Sequence, residues 1–281
     1  MRRITASWIR DLVAQLCLKA NFTLRGDVIT QLKSAYIREK GKRTKDILAA
    51  IMDNSAIARR ENLAICQDTG MPCVFIEIGQ EVIIKGDLKK AVNKGIEDGY
   101  KKGCLRSSVV RDPLLRGKPV YGPAVIHIDI VRGDKLKIIV LPKGFGCENK
   151  SRLRMFNPTI EINAIKEFII ETVKMAGPEA CPPYIIGVGI GGTADYATFL
   201  AKKALLKKIA NSPLRKLSNP IKKLEQELMA EINKLNIGPM GLGGKSTVIG
   251  VNIETYPTHI AGLPVAVNIS CHALRSATGI I

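Results

Sequence analysis

Seven cysteines are the residues of this sequence best suited to chemistry, because a thiolate is both a strong nucleophile and a ligand for soft metals. They are Cys17, Cys66, Cys73, Cys104, Cys147, Cys181 and Cys271. Their number is odd and their spacings are wide, which does not fit a secreted disulfide framework. The sequence has no C-x-x-C pair, so it contains neither a local zinc knuckle nor a thioredoxin motif. A metal site therefore requires the fold to gather distant cysteines.

Two glycine-rich segments look like phosphate-binding loops, but neither has the required surroundings. Residues 187–192 spell G-x-G-x-x-G, yet only three residues separate Pro183 from the first glycine, too few for the strand that precedes a dinucleotide loop. Residues 196–224 contain no Asp or Glu that could hold a ribose. Residues 241–247 read GLGGKST, but Pro239 stands where the Walker pattern needs glycine. We expect no nucleotide site at either segment.

The chain is strongly basic, with a formal net charge of +18 from 43 basic and 25 acidic residues. Residues 202–223 contribute eight basic residues and no acidic one. Such a stretch can be a solvated helical face, a docking surface for an acidic partner chain or a nucleic-acid site. Aromatic residues make up only 5% of the chain and no zinc finger or RRM signature is present, so we expect no nucleic-acid partner.

Helices are predicted where apolar residues recur every three to four positions. This pattern covers much of residues 4–65, with Thr44 as the expected N-cap of the third helix, and it returns over residues 87–103 and 157–177. A charged pair at residues 10–11 interrupts the first apolar run, which indicates an amphipathic helix rather than a signal peptide. No apolar run is long enough to span a bilayer, so we expect a cytoplasmic protein without a membrane partner.

Strands are predicted where apolar and polar residues alternate. Residues 124–144 contain two such runs around Gly133 and Asp134, which predicts a hairpin. The tail from Gly238 is rich in Gly, Pro, Val and Ile, which predicts strands joined by tight turns. Because helices and strands come in blocks, we expect an α+β fold. An N-terminal helical region would pack against mixed or antiparallel sheets, in a single large domain over residues 1–281.

Four dispersed motifs point to a family. They are ICQDTGMP at 65–72, LPKGFGCENKSRL at 141–153, EACPPYIIGVGIGGT at 179–193 and PTHIAGLPVAVNISCHALR at 257–275. In this order and spacing they resemble the class I, iron–sulfur fumarate hydratase family, in its N-terminal or α-subunit part, together with the related L-tartrate dehydratases. The resemblance runs from about Asn62 to Ala277.

The resemblance implies a 4Fe-4S cluster held by three cysteines, at the positions of Cys66, Cys181 and Cys271. Three protein ligands leave one of the four irons open, and an open iron acts as a Lewis acid toward the substrate's hydroxyl and carboxylate oxygens. Because 115 residues separate Cys66 from Cys181 and 90 residues separate Cys181 from Cys271, no local metal-binding motif could reveal this set of ligands. The other cysteines, apart from Cys147, are interpreted as small buried hydrophobic residues.

The resemblance also implies roles for residues around the substrate. Asp68 is implied as a proton-transfer or orienting group, and His259 as a histidine that reaches the active site of a neighbouring subunit. Arg106 is implied to bind a substrate carboxylate, which a planar guanidinium can do with two parallel hydrogen bonds. Further substrate-binding residues implied by the same motifs are Gln67, Lys143, Gly144 and Asn149.

The loop that starts at Lys143 departs from the usual family pattern KGGGSENKS, because Phe145 replaces a glycine and Cys147 a serine. Phe145 fills space and forbids backbone shapes that glycine permits. Cys147 becomes a candidate fourth thiol near the cluster. The run LLRGKPVYGPAVIH, before the first predicted hairpin strand, also differs from the polar run common in the family. For the glycines of residues 187–192, we expect that they let the backbone turn closely beside the thiol of Cys181.

The function implied by the resemblance is that of a hydro-lyase, the reversible hydration of fumarate to (S)-malate. Arg106 and the open iron would place positive charge where negative charge develops on the dicarboxylate. The family's main proton-abstracting residue lies in a C-terminal part and this chain stops at Ile281, so we expect a separate β subunit in an α2β2-type assembly. The alternatives are an L-tartrate dehydratase α subunit and a non-catalytic binding or assembly protein.

Overall fold

The computed structural model describes residues 2–209 and 219–281, and it confirms the predicted α+β class. The chain divides into two compact units that alternate along the sequence. The first unit comprises Met1–Arg25, Asn54–Phe145 and Arg275–Ile281, and the second comprises Gly26–Asp53 and Gly146–Leu274. The expectation of one family domain over residues 1–281 stays a prediction.

The regular elements of the described residues are as follows. The strands are β1 Arg2–Thr5, β2 Met71–Gly79, β3 Val82–Lys85, β4 Val125–Val131, β5 Leu136–Lys143, β6 Arg152–Phe156, β7 Tyr184–Gly192, β8 Val248–Thr258, β9 Leu263–Ser270 and β10 Ala277–Ile280. The helices are α1 Ala6–Phe22, α2 Gly26–Arg38, α3 Lys42–Glu61, α4 Leu88–Lys102, α5 Phe145–Glu148, α6 Ile162–Ala176, α7 Ala194–Ala204 and α8 Pro220–Asn233.

The first unit packs α1 and α4 against a four-stranded sheet of order β10-β5-β2-β4. The two helices approach closely because α4 presents glycines to α1. A Cβ atom on Gly95 would lie 2.5 Å from the Arg10 carbonyl oxygen, and one on Gly99 would lie 2.7 Å from that of Ala14. These distances are too short for any side chain, so the two glycines set the separation of the helices.

The predicted hairpin of residues 124–144 is wrong in its pairing. Both strands form, but β2 lies between them, with Ile76 opposite Ile128 in parallel and opposite Ile138 in antiparallel register. The end of β2 enters the β4–β5 turn, where a Cβ atom on Gly79 would lie 2.3 Å from the Gly133 oxygen. Because β2 is a nearly continuous buried apolar run, it satisfies its backbone groups by pairing on both edges.

The second unit contains a mixed sheet of order β6-β9-β7-β8. Helices α6 and α8 cover the face that carries Ile186 and Val188 of β7. Helix α7 lies on the opposite face, where Cβ atoms on Gly187 and Gly189 would each be 2.1 Å from a carbonyl oxygen of α7. The expectation that these glycines form a turn beside Cys181 is therefore wrong, since they lie within a strand and let a helix rest directly on it.

Helix boundaries differ from the predicted ones where local hydrogen bonds decide them. Helix α3 begins at Lys42, and the hydroxyl of Thr44 donates to the Gly41 carbonyl at 2.9 Å, so Thr44 lies inside the first turn and is not the N-cap. Helix α6 ends before Gly177 as predicted, where φ is +54°. It starts only at Ile162, and the strand β6 before it was not predicted.

The basic stretch of residues 202–223 is partly neutralised within the second unit. Its ion pairs include Lys202 with Glu148, Lys207 with Glu254, Lys222 with Glu225 and Lys223 with Glu227. Arg215 and Lys216 of this stretch lie outside the described residues. Across residues 2–209 and 219–281, no helix combines the length and the apolar character needed to cross a membrane.

Candidate functional site

The turn of residues 66–70 in the first unit lies between α3 and the start of β2. Two hydrogen bonds to the backbone of Ile65 fix the chain just before the turn begins. The backbone N–H of Ile65 donates to the Asn21 carbonyl at 3.0 Å, and the Asn54 amide donates to the Ile65 carbonyl at 2.9 Å. Within the turn, Cys66 is half-buried and Gln67 is exposed. Cys66, a candidate metal ligand, and Gln67, a candidate substrate-binding residue, therefore directly follow a residue whose backbone is held by hydrogen bonds.

The carboxylate of Asp68 is oriented by two backbone donors. Its Oδ1 accepts the Gly70 N–H at 3.0 Å, and its Oδ2 accepts the Phe145 N–H at 2.9 Å. Gly144 lies against the same carboxylate, because a Cβ atom there would be 3.1 Å from Oδ2. The structure thus brings Asp68 together with Gly144, and Phe145 contributes through its backbone N–H. With both oxygens held, the remaining lone pairs of the carboxylate have defined directions.

Arg106 and Lys143 reach the same turn from two other elements. The buried Thr69 donates from its hydroxyl to the Arg106 carbonyl at 2.9 Å, while the side chain of Arg106 is exposed. Lys143 is buried at the end of β5, opposite Met71 in the β2–β5 register. The hydroxyl of Tyr100 donates to the Thr69 carbonyl at 2.9 Å, and burial raises the pKa of Tyr100. The turn therefore lies against the backbone of Arg106 and of Lys143 and beside the buried phenol of Tyr100.

Cys181 and Cys271 lie on adjoining segments of the second unit. Cys181 is exposed and has φ of +56°, a left-handed conformation that costs about 1–2 kcal/mol for a residue with a Cβ atom. Its carbonyl accepts the backbone N–H of His272 at 3.5 Å and faces the ring Nδ1 of His272 at 3.1 Å. Cys271 follows the end of β9 and is half-buried. Strain at a non-glycine residue is a feature of functional sites.

Cys147 is the third sulfur of this group. Its Sγ accepts the backbone N–H of Cys271 at 3.1 Å and donates to the Ala180 carbonyl at 3.5 Å, and the side chain is buried. The nearby hydroxyl of Tyr184 has a raised pKa, first because of burial and then because of the charges that Cys147, Cys181 and Cys271 can carry. The three sulfurs therefore share one neighbourhood, with Cys147 on its buried side. Of the cysteines interpreted as buried hydrophobic residues, Cys17 and Cys73 are buried, but the interpretation is wrong for Cys104, which is exposed because it lies in the turn after the end of α4.

The remaining predicted site residues lie apart from these contacts. Asn149 is exposed in the turn after α5, which is closed by a hydrogen bond from the Lys150 N–H to the Cys147 carbonyl. His259 is exposed, and its Nδ1 accepts the Ala261 N–H at 3.1 Å, a contact within its own turn. Their implied roles toward substrate stay predictions.

The available donors fit an iron–sulfur cluster in their chemistry. The three predicted ligands are thiols that are exposed or half-buried, and thiolates are the usual ligands of such clusters. Backbone N–H groups directed at sulfur tune clusters of this kind, and Cys147 already receives such a bond from Cys271. Within the described ranges, no set of three or more His, Cys, Asp or Glu side chains is grouped as a metal site.

Sequence reasoning did not assign a role to Arg275, although it closes the fourth motif. This buried residue donates from Nη2 to the Asp68 carbonyl at 2.7 Å and from Nη1 to Oδ1 of Asn21 at 3.3 Å. The partners lie 207 and 254 positions away in the sequence, and one is a backbone oxygen. A charged residue at the end of the apolar run AVNISCHALR was the only sequence signal that could have drawn attention to it.

Comparison with known proteins places these residues in context. The family model for Fumarate hydratase (Fumerase) matches residues 10–280 and spans all four motifs. A Methanocaldococcus jannaschii protein, provisionally named L(+)-tartrate dehydratase subunit alpha, is 42% identical over 279 residues, 96% of this chain and 96% of that protein. The L(+)-tartrate dehydratase subunit alpha of Escherichia coli strain UTI89 is 31% identical over 274 residues, 96% of this chain and 89% of that protein. The subunit of strain K12 is 30% identical over the same length.

Proposed function

The chain belongs to the fumarate hydratase (Fumerase) family and is a hydro-lyase subunit, and from this premise we propose that it is the α subunit of an iron–sulfur enzyme that hydrates fumarate reversibly to (S)-malate. The family match over residues 10–280 is the observation that carries the proposal. In the dehydration direction, a C–H proton is removed, the C–O bond breaks and water leaves, while a C=C bond forms. The chain's own residues must bind the dicarboxylate and manage that proton.

We propose Cys66, Cys181 and Cys271 as the ligands of a 4Fe-4S cluster. The support is the resemblance of their motifs, together with the neighbourhood shared by Cys181 and Cys271 and the strained backbone of Cys181. When bound, the cluster supplies a Lewis-acidic iron that polarises the substrate's hydroxyl group. Cys147 has both hydrogen-bonding directions of its thiol in use, which favours a supporting position for it over a fourth ligand.

Asp68 is proposed to hold or move a proton at its carboxylate. Two backbone N–H donors fix its oxygens, so the carboxylate has one orientation before the substrate binds. No further conformational entropy of this side chain is then lost in reaching the transition state. A positioned carboxylate within hydrogen-bond reach of the reacting group typically contributes about 10²–10⁴-fold as a general acid or base. His259 is proposed as a second proton-handling residue, contributed to a neighbouring subunit, because its side chain is exposed.

The side chains of Arg106 and Lys143 are proposed to bind the substrate's carboxylates. Arg106 is exposed and can form a bidentate pair, whereas the buried Lys143 supplies a fixed charge at the end of β5. Positive charge fixed in advance stabilises the negative charge that develops on a carboxylate as the α-proton leaves. Gln67, Gly144 and Asn149 are proposed as further substrate contacts on the strength of their motifs.

A separate β subunit is proposed to complete the site in an α2β2-type assembly. The relatives carry subunit alpha in their names, which supports a heteromeric enzyme. We expect the chain alone, reconstituted anaerobically with iron and sulfide, to show little turnover of fumarate or malate. Addition of the cognate β subunit should raise turnover by orders of magnitude, and light scattering should give the mass of two copies of each chain. Full activity of the isolated chain would contradict the divided site.

L(+)-tartrate is the second candidate substrate, because the curated relatives are named for it. The assembled enzyme should be assayed with fumarate, (S)-malate and L(+)-tartrate side by side, and the proposal expects the highest kcat/KM for the fumarate–malate pair. A higher kcat/KM for tartrate would reassign the substrate and keep the hydro-lyase chemistry. Stable binding of the β subunit without turnover of any hydroxy-dicarboxylate would favour a non-catalytic assembly protein.

A further inference from the structure

Arg275 is a buried cation that ties two parts of the first unit together. Only 3% of its surface is exposed. Its Nη2 donates to the backbone oxygen of Asp68 at 2.7 Å, and its Nη1 donates to Oδ1 of Asn21 at 3.3 Å. One side chain therefore links the last part of α1 to the turn of residues 66–70.

The α1 end of this link is itself rigid. Asn21 is fully buried, and its Nδ2 donates to the Cys17 carbonyl at 2.9 Å. The Asn21 carbonyl accepts the N–H of Ile65, the residue directly before the turn. The turn is therefore held to α1 at its start by a backbone hydrogen bond, and in its middle by the guanidinium of Arg275.

The charge of Arg275 has no anionic partner within the first unit's described residues. None of their carboxylate oxygens lies within ion-pair distance of the guanidinium, and its Nε has no hydrogen-bond partner. Arg275 and Asp68 nonetheless flank one backbone position, since a Cβ atom on Gly144 would lie 3.1 Å from Asp68 Oδ2 and 3.8 Å from Arg275 Nη2. A buried cation that is not paired is costly, and such exceptions to ordinary burial are concentrated at functional sites.

We propose that Arg275 is a positioning residue of the hydro-lyase site. It holds the main chain of residues 66–70 so that the thiol of Cys66 and the carboxylate of Asp68 each keep one orientation. A hydrogen bond from a charged donor is stronger than a neutral one, which suits a single contact that must restrain a turn. The inference rests on the proposed function for the roles of Cys66 and Asp68, and its first test needs no turnover.

Alkylation of the metal-free full-length chain with iodoacetamide, measured for each cysteine by peptide mass spectrometry, provides that test. In Arg275→Gln, labelling of Cys66 should become about tenfold faster, because loss of the charged donor lets the turn open more often. Arg275→Lys keeps one charged donor and should show a smaller increase, about threefold. Cys17 is buried and Cys104 is exposed, so both serve as internal references whose labelling should not change.

Two outcomes of the labelling experiment would overturn the proposal. The first is an unchanged rate at Cys66 in Arg275→Gln. The second is faster labelling of Cys17 in both variants, since Arg275 would then stabilise the unit as a whole and not the turn in particular.

Kinetics of the assembled enzyme separate positioning from substrate binding. A positioning role predicts that Arg275→Gln lowers kcat per bound cluster by about tenfold or more while KM changes little, because a displaced reacting group lowers turnover. Arg275→Lys should recover part of kcat. A rise in KM with unchanged kcat would show that Arg275 binds substrate and would contradict the proposal. A wild-type assembly without turnover would count against the proposed function and would leave the labelling result as the test of Arg275.

Discussion

Replacement of Cys181 by glycine should stabilise the metal-free chain relative to replacement by alanine. Cys181 has φ of +56°, and a left-handed conformation costs about 1–2 kcal/mol for a residue with a Cβ atom. Glycine avoids this cost but loses roughly 0.5–1 kcal/mol through the greater freedom of the unfolded chain. The difference should leave Cys181→Gly more stable than Cys181→Ala by about 0.75 kcal/mol, the difference between the midpoints of these two ranges.

Urea unfolding of the metal-free variants, followed by circular dichroism, measures this difference without interference from iron. Two matched pairs calibrate the result. Cys104 is exposed and has φ of +50°, so its glycine variant should also be more stable than its alanine variant. Cys271 is not among the residues with positive φ, so its glycine variant should be the less stable one, by roughly 0.5–1 kcal/mol.

The reasoning is refuted if Cys181→Gly is no more stable than Cys181→Ala while the Cys104 pair behaves as expected. The expected result would mean that the chain keeps a thiol at a position where glycine would be more stable. Cys104, to which no role is assigned, also has a positive φ, so this result measures the backbone strain at Cys181, and the proposed ligation of iron is tested by iron content.

Three further perturbations test other parts of the account. Gly189→Ala should lower the free energy of unfolding by about 3 kcal/mol, because its Cβ atom would lie 2.1 Å from a carbonyl oxygen of α7. The control is Gly146→Ala, which should change the free energy of unfolding little because a Cβ atom there would have no neighbour within 4 Å. Equal urea midpoints for the two variants would contradict the packing argument. Burial raises the pKa of the Cys17 thiol from 9.0 to about 12, so this thiol favours the folded state below pH 9 and the benefit is lost as pH rises through 9 to 12. Between pH 9 and pH 12 the free energy of unfolding should therefore fall less steeply in Cys17→Ala than in the wild type, with slopes that differ by up to ~1.4 kcal/mol per pH unit. Parallel curves of the free energy of unfolding against pH would show that the Cys17 thiol does not have a raised pKa. Asp68→Asn should lower kcat of the assembled enzyme by at least ~100-fold, while Asp134→Asn in the β4–β5 turn should not, and near-normal turnover in Asp68→Asn would remove Asp68 from the mechanism.

The sequence predicts individual elements of this fold better than their partners. Apolar spacing places the helices, and Gly177 marks the end of α6 because its φ of +54° suits glycine. The pairing of β4 and β5 was predicted wrongly because adjacency in sequence favours a hairpin. The insertion of β2 between them depends on hydrogen bonds to residues more than 40 positions away and on the absence of a side chain at Gly79.

The candidate site shows the same division. The motifs around Cys66, Cys181 and Cys271 are recognisable because the resemblance supplies their order, whereas spacings of 115 and 90 residues carry no local signal. The support beneath them was not predictable from residue types. Arg275 donates to the backbone oxygen of Asp68, and the backbone N–H of Phe145 donates to the Asp68 carboxylate. Because each of these contacts uses a backbone atom, residue types in the sequence do not predict it.

Iron content is the most direct measurement of the central claim, that three cysteines hold one 4Fe-4S cluster. The full-length chain and single serine variants should be reconstituted anaerobically, and iron, sulfide and visible absorption should be measured for each. Cys66→Ser, Cys181→Ser and Cys271→Ser should each lose most of the iron, while Cys73→Ser and Cys104→Ser should retain the wild-type amount, about four iron atoms per chain. Full iron retention in any one of the first three variants would contradict the ligand assignment.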